Sequence, residues 1–535
     1  MRTSRTSALT RARRTRGASR VWLWVIAATC AAGPAHAQEA QPAPIATVRQ
    51  GQLAGRDIGG GIATFLGIPF AAPPVGDLRW HLPLPPQSWQ GVRSAVNYGP
   101  ACAQNDPSFG GLFDKTSRED CLYLNLWTPS LKPQKPLPVL VYIHGGALVG
   151  GAGSIPTFDG ADLARNGVIL VTINYRLGIF GFFSHPDLAA ESPSGASGNY
   201  GLADQIEALR WVRDNIGAFG GDPGRVTISG QSAGSASVLM LMTSPRTKGL
   251  FRGAIAESGT PLLAPWTTRT EAEHWGRDFS VSLGAGSIAD LRKLAPADLM
   301  TPWRKFLAAR GIGLMRLSVD GWVFERSPSQ VFAEHREMHI PLLTGNNSRE
   351  ALQVPADADL PVALARTFGA AADQARNAYA ADADPVLGNA AARFATDVTF
   401  RCPAITIERW HARQGSPTYA YQFEEPLPAH KALGAQHSDE VPFVFSTLQL
   451  MMFGAPVPPA DQALSAQISA YWANFAKRGD PNGTSLPLWP RYEPSSGHYV
   501  HLAAAGIRAD RKLEHDACDL YEKVLVPRLI APGPD

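Results

Sequence analysis

The chain has 535 residues, 45% of them hydrophobic and 18% charged, which excludes a disordered or fibrous protein and fits a large buried core. The formal charge is +3, but residues 1–37 hold seven arginines and no acid, so residues 38–535 carry −4 and no nucleic-acid partner is implied. The 51 glycines and 44 prolines are spread along the chain and predict many turns and long loops.

Residues 1–37 read as a signal peptide. A basic head precedes an apolar run, residues 21–32, too short to span a bilayer comfortably. Ala35-His36-Ala37 has the small-residue pattern of a cleavage site, so the cut is expected after Ala37. The expectation is a secreted or periplasmic protein with no stable membrane anchor. Arg13-Arg14 hints at a twin-arginine signal, but the rest of that motif is missing. Cys30 leaves with the signal, and Cys102, Cys121, Cys402 and Cys518 remain. An even number in an oxidising compartment predicts two disulfides in one of three pairings. No Cys-x-x-Cys spacing occurs, so no zinc site is expected, and no cofactor is implied.

Short apolar runs at 138–143, 168–173, 225–229 and 340–344 predict strands. They lack the alternation of a half-wet sheet, so both faces should be covered. Between the second and third, residues 203–216 carry Ile206, Leu209, Val212 and Ile216 at helical spacing. Strand, helix, strand in this order argues for a parallel sheet with right-handed crossovers. Residues 268–335 and 355–400 read as mostly helical insertions that could form a cap. No linker separates them, so residues 38–535 are expected to be one catalytic domain.

Within that frame one constellation carries chemistry. Gly230-Gln231-Ser232-Ala233-Gly234 follows a predicted strand and precedes a helical stretch, residues 235–242. A serine on a sharp strand-to-helix turn needs small neighbours, and glycine tolerates the strained backbone. Upstream, His144-Gly145-Gly146-Ala147 ends another strand. Gly145, Gly146, Ala147 and Ala233 are the candidate oxyanion hole, with the Gly146, Ala147 and Ala233 amides as donors. This order of elements predicts an α/β-hydrolase fold: a central, mostly parallel sheet flanked by helices.

A serine nucleophile needs a base that works near neutral pH, which points to histidine. His437 lies in the polar loop Gly434-Ala-Gln-His-Ser-Asp-Glu440, after the nucleophile. His335 and His339 in His-Arg-Glu-Met-His misplace the glutamate of a zinc helix and read as a solvated helix face. The orienting acid should follow a strand. Glu350 does so, while Glu424, Glu425, Asp439 and Glu440 are rivals by sequence alone. Residues beside the base usually stabilise its loop instead.

The sequence also resembles the type-B carboxylesterase family over nearly all of residues 38–535. Gly67-Ile-Pro-Phe-Ala-Ala-Pro-Pro-Val-Gly-Asp-Leu-Arg79 matches the family's N-terminal signature, and Glu119-Asp-Cys-Leu-Tyr-Leu-Asn125 its second. Asn174-Tyr-Arg-Leu-Gly178, Gly198-Asn-Tyr-Gly-Leu-Ala-Asp-Gln205, Phe219-Gly-Gly-Asp-Pro223, Trp472 with Asn474-Phe475, and Gly479-Asp-Pro-Asn482 continue it. The resemblance implies ester hydrolysis through an acyl-enzyme on a Ser232–His437–Glu350 triad. It places the acid five residues after Gly345, pairs Cys102 with Cys121 and Cys402 with Cys518, and joins Arg79 to Glu119.

Three departures stand out. Gln231 occupies a position where many members have glutamate, and Ala351 one that is usually glycine. The 102–121 loop holds Phe109 and Phe113 but no tryptophan, so a choline ester is a poor fit. Gln231, Trp266 and Phe109 are the expected pocket residues, Trp266 reading either as an acyl-pocket wall, by the resemblance, or as core. The partner is expected to be a small-molecule ester, apolar or polycarboxylic. Acyl transfer and a non-catalytic binding role on the same fold remain as rival readings.

Overall fold

Unbroken apolar strands arise when alternate side chains feed two different cores. The computed structural model, which describes residues 43–105, 116–312, 317–350, 359–380 and 383–531, has this arrangement. In the strand Leu137–Ile143, Val139, Val141 and Ile143 enter one core while Leu140 and Tyr142 enter the other. Ile169, Val171 and Ile173 likewise oppose Leu170 in the next strand. The predicted signal peptide lies outside the described residues.

The main sheet has eleven strands. In chain order they are β1 (Arg56–Asp57), β2 (Ala63–Pro69), β3 (Tyr123–Thr128), β4 (Leu137–Ile143), β5 (Ile169–Ile173), β6 (Gly221–Gln231), β7 (Gly253–Glu257), β8 (Leu342–Asn347), β9 (Thr418–Phe423), β10 (His498–Leu502) and β11 (Arg508–Arg511). Across the sheet they run β11-β10-β9-β8-β7-β6-β4-β5-β3-β2-β1. From β10 to β5 every neighbouring pair is parallel. Antiparallel strands close both edges. This is the mostly parallel α/β-hydrolase sheet expected from the sequence. The strand predicted at 225–229 extends to Gln231, and that at 340–344 begins at Leu342 and runs on to Asn347. Both extensions carry the chain towards the site.

Helices seal both faces. Tyr200–Asn215 buries Leu202, Ile206, Leu209 and Val212 in the first core. On the other face Pro459–Arg478 buries Leu464, Ile468, Tyr471, Trp472 and Phe475 in the second. Residues 268–335 hold the helices Arg269–Ser282, Ile288–Lys293, Pro296–Ala308 and Pro328–Ala333. Part of this region has an aromatic core of its own, Phe279, Trp303 and Phe306, packed on Phe183. The described part of 355–400 holds Leu360–Phe368, Ala372–Ala378 and Ala390–Thr396, then one π-helical turn into Cys402–Arg413. Among the described residues no helix is long and apolar enough to cross a membrane.

Cross-links pin these layers. Disulfides join Cys102 to Cys121 and Cys402 to Cys518. The second ties the helix Cys402–Arg413 to the C-terminal helix His515–Val524. Arg79 grips Glu119 with two bonds of 2.7 and 2.6 Å and donates to the carbonyls of Leu291 and Leu294. That links the N-terminal signature to the helical insertion.

Candidate active site

Ser232 stands between the end of β6 and the helix Ala233–Leu241, at φ 59° and ψ −123°. A non-glycine residue rarely adopts this backbone, and strain of this kind clusters at functional sites. Its surroundings enforce it. The Ser232 N–H donates to the Glu257 carbonyl at 2.8 Å. A Cβ added at Gly234 would lie 2.0 Å from the Ile143 carbonyl oxygen, so the new helix starts hard against β4. Ala233 opens that helix, and its N–H has no carbonyl one turn back to bond.

The loop after β4 folds over this elbow. Gly146, Ala147 and Leu148 all have positive φ, at 107°, 52° and 62°. The Gly146 carbonyl accepts from the N–H groups of Val149 and Gly150, closing a tight turn. Gly145 has to be glycine, since a Cβ there would sit 2.8 Å from the Gln231 carbonyl oxygen and 3.0 Å from Ser232 Cβ. Gln104, two residues beyond the first disulfide, clasps Gly151 through both its N–H and its carbonyl. Tyr175 stacks on the His144 ring and donates its hydroxyl to the His144 carbonyl at 2.9 Å. Burial pushes the His144 imidazole down to about 4, so it stays neutral and structural.

His437 reaches the elbow from the loop after β9. Its Nε2 lies 2.8 Å from Ser232 Oγ and its Nδ1 2.6 Å from Glu350 Oε2. Glu350 is 1% exposed and takes a second bond, from the Asn347 N–H at 2.6 Å. With Nδ1–H directed at the carboxylate, the free lone pair on Nε2 faces the serine hydroxyl. Ser232, His437 and Glu350 are therefore brought together in one hydrogen-bonded line. Gln231 points its amide at the same imidazole, Nε2 to Nε2 at 3.4 Å.

The rival carboxylates are employed elsewhere. Glu424 bonds His501, and Glu425 accepts from the Ala504 N–H. Asp439 accepts from the Gln436 and Leu427 N–H groups and pairs with His430, closing the His437 loop on itself. Glu440 accepts from the Asn347 amide. His335 and His339 are exposed as expected, but on a turn and the irregular chain that follows Pro328–Ala333 rather than on a helix. The glutamate between them, Glu337, is buried against His411. Among the described residues no group of three His, Cys, Asp or Glu side chains could hold a metal ion.

A cavity of about 260 Å³ opens beside the elbow. Ala147, Ala233, Met240, Leu263, Trp266 and Leu317 are among its lining residues. Trp266 is both wall and core: it is 6% exposed and meets Phe324 edge to face at 5.3 Å. Phe109, Phe113 and Ala351 lie outside the described residues.

Sequence reading missed several neighbours. Phe400 packs its ring 4.7 Å from that of His437. Glu257 sits buried behind the elbow, its Oε1 accepting from Ser229 Oγ and Trp472 Nε1. Burial raises its carboxyl to about 7. Asn347 bonds Glu350 through its main-chain N–H and the Gln436 carbonyl, one residue before His437, through its side chain. Of these only Asn347 falls inside a segment the resemblance uses, Gly345 to Glu350; Phe400 and Glu257 have no such local signal.

Comparisons with known proteins identify the family. The sequence profile of the Carboxylesterase family matches residues 42–521. The chain is 37% identical to the fumonisin B1 esterase of Sphingopyxis macrogoltabida, over 89% of this chain and 90% of that one. It is 34% identical to liver carboxylesterase 1 of Oryctolagus cuniculus, over 85% and 87%. Among solved structures a PNB esterase superposes with a TM-score of 0.76 at 34% identity, covering 89% of this chain and 99% of that one. The chain thus belongs to the carboxylesterase family and is a carboxylic-ester hydrolase.

Proposed function

We propose that the protein is an exported serine carboxylesterase that works through an acyl-enzyme on Ser232. The observation that carries this reading is the Ser232–His437–Glu350 line of 2.8 and 2.6 Å hydrogen bonds at a strained strand-to-helix turn. Ser232 Oγ attacks the ester carbonyl while His437 Nε2 takes its proton. Glu350 orients the imidazole and stabilises its charged form. The amides of Gly146, Ala147 and Ala233 hold the oxyanion. His437 then protonates the leaving alcohol. Water, deprotonated by the same nitrogen, releases the acid and frees Ser232.

The cavity beside Ala147 and Ala233 is the acyl pocket, and its lining favours an uncharged apolar acyl group. The helical insertions at 268–335 and 355–400 cap a single catalytic domain. Export rests on the signal pattern of residues 1–37 and agrees with two disulfides.

A fluorophosphonate probe and a graded panel of p-nitrophenyl esters test this reading, with anionic esters and fumonisin B1 included. Expected are stoichiometric labelling, a preference for uncharged acyl groups, and a loss of at least about 10⁴-fold in kcat for Ser232→Ala with an unchanged fold. Undiminished turnover by Ser232→Ala overturns the assignment. An intact protein that neither labels nor turns over favours the non-catalytic binding role. Product esters formed with added alcohols in preference to hydrolysis would favour acyl transfer.

A further inference from the structure

Glu350 and His437 come from loops 87 residues apart in sequence, and their 2.6 Å contact requires both loops to be held in register. Asn347, the last residue of β8, is fully buried between them. Its main-chain N–H donates to Glu350 Oε1 at 2.6 Å, leaving Oε2 for His437. Its side-chain amide donates to the Gln436 carbonyl at 2.6 Å and to Glu440 Oε2 at 2.5 Å. These acceptors bracket the base, one residue before His437 and three after. The same residue thus bonds the acid through its backbone and the base loop through its side chain.

Resting on the proposed triad, we propose that Asn347 is a positioning residue that sets the distance and angle between Glu350 and His437. Only a short side chain with two N–H donors can serve both the carbonyl and the carboxyl from this point on β8. Burial, with Glu350 and Glu257 nearby, holds Glu440 well above the usual carboxylate range. Aspartate at 347 would turn donors into acceptors facing two other oxygens. The Gln436 peptide would then swing, and the imidazole would turn out of line with Ser232 Oγ. A displacement of about 1 Å at such a contact is enough to slow the chemistry without weakening substrate binding.

The test compares Asn347→Asp and Asn347→Ser with the parent, alone and in a Glu350→Gln background, on an apolar p-nitrophenyl ester. Rates are scaled to active sites counted by fluorophosphonate titration. Expected is a fall of about 10- to 100-fold in kcat with KM within about twofold. In the Glu350→Gln background the same change should cost less than about threefold, because the contact it sets is already lost. A kcat within about twofold of the parent overturns the role, and so does an undiminished loss in the Glu350→Gln background. If Asn347→Asp does not fold, Asn347→Ser decides by the same readouts. Failure of both to fold assigns Asn347 to stability and also overturns the role. An active Ser232→Ala would sink the triad itself, whereas an inert Ser232→Ala beside a fully active Asn347→Asp sinks only this inference.

Discussion

Between Ile143 and Gly234 the site is held by main chain, whereas between Asn347 and Glu440 it is held by side chains. On the Ser232 side β4 and the helix Ala233–Leu241 approach so closely that a Cβ at Gly234 would meet the Ile143 carbonyl at 2.0 Å. On the Glu350–His437 side the spacing comes from the bonds of Asn347, Asp439 and Glu350. Backbone packing gives a rigid, all-or-none element. A polar network can be degraded one bond at a time.

Substitutions should separate the two. The largest effect is expected from Gly234→Ala, which has no room for its methyl and should abolish soluble, fluorophosphonate-reactive protein. Recovery of a normal melting curve and normal labelling would show that the elbow can relax. Next is Glu350→Gln, an isostere that removes the charge facing the imidazole. It should lower kcat by about 10³- to 10⁴-fold while leaving the melting temperature within a few degrees. A loss of less than tenfold would mean the acid lies elsewhere.

Smaller effects appear as pH dependence. Glu408 is 3% exposed, in the helix Cys402–Arg413 behind β8 and β9. Burial raises its carboxyl to about 8, against the opposing effect of Arg409. The folded chain therefore holds a proton that the unfolded chain releases from about pH 4.5 upwards. Stability should fall as pH rises from about 4.5 to about 8, by at most about 1.4 kcal/mol per unit. Glu408→Gln cannot ionise, so it should be more stable than the parent at pH 9 by a few kcal/mol and similar at pH 4. Parallel melting profiles across that range would refute this. The smallest change is expected from Gln231→Glu. A carboxylate near His437 Nε2 favours the imidazolium, so the acid limb of the kcat/KM profile should move up by about one pH unit. An unmoved limb would show that the 3.4 Å contact carries no electrostatic weight.

The same contrast explains what could be read from the sequence. The elbow and the loop at 144–147 are legible because their constraints lie within a few residues: glycines at fixed spacing after apolar strands. The sheet is legible too, since two buried faces leave continuous apolar runs such as 138–143. The acid is harder. By spacing alone Glu350 has four rivals, and the family resemblance rather than the residues chooses among them. What separates them in the structure is where partners such as His501, Ala504 and Gln436 lie, and those sit 3 to 79 residues away. The role of Asn347 is invisible for the same reason, as its partners Gln436 and Glu440 are 89 and 93 residues on. The turn at His335 reads as helix because a His-x-x-x-His spacing suits a helical face, while Phe332–His339 is broken by a positive φ at His335.

The two-core sheet bears on how this enzyme can change. With alternate residues of β4, β5, β7 and β8 committed to opposite cores, an inserted or deleted residue inside a strand would exchange the cores for every residue on one side of it. Tolerated variation is driven outward to the strand ends. Leu263 and Leu317, which line the cavity, lie in segments that no strand of the large sheet includes. The shape of the cavity can therefore be redrafted there, residue by residue, with the scaffold left untouched.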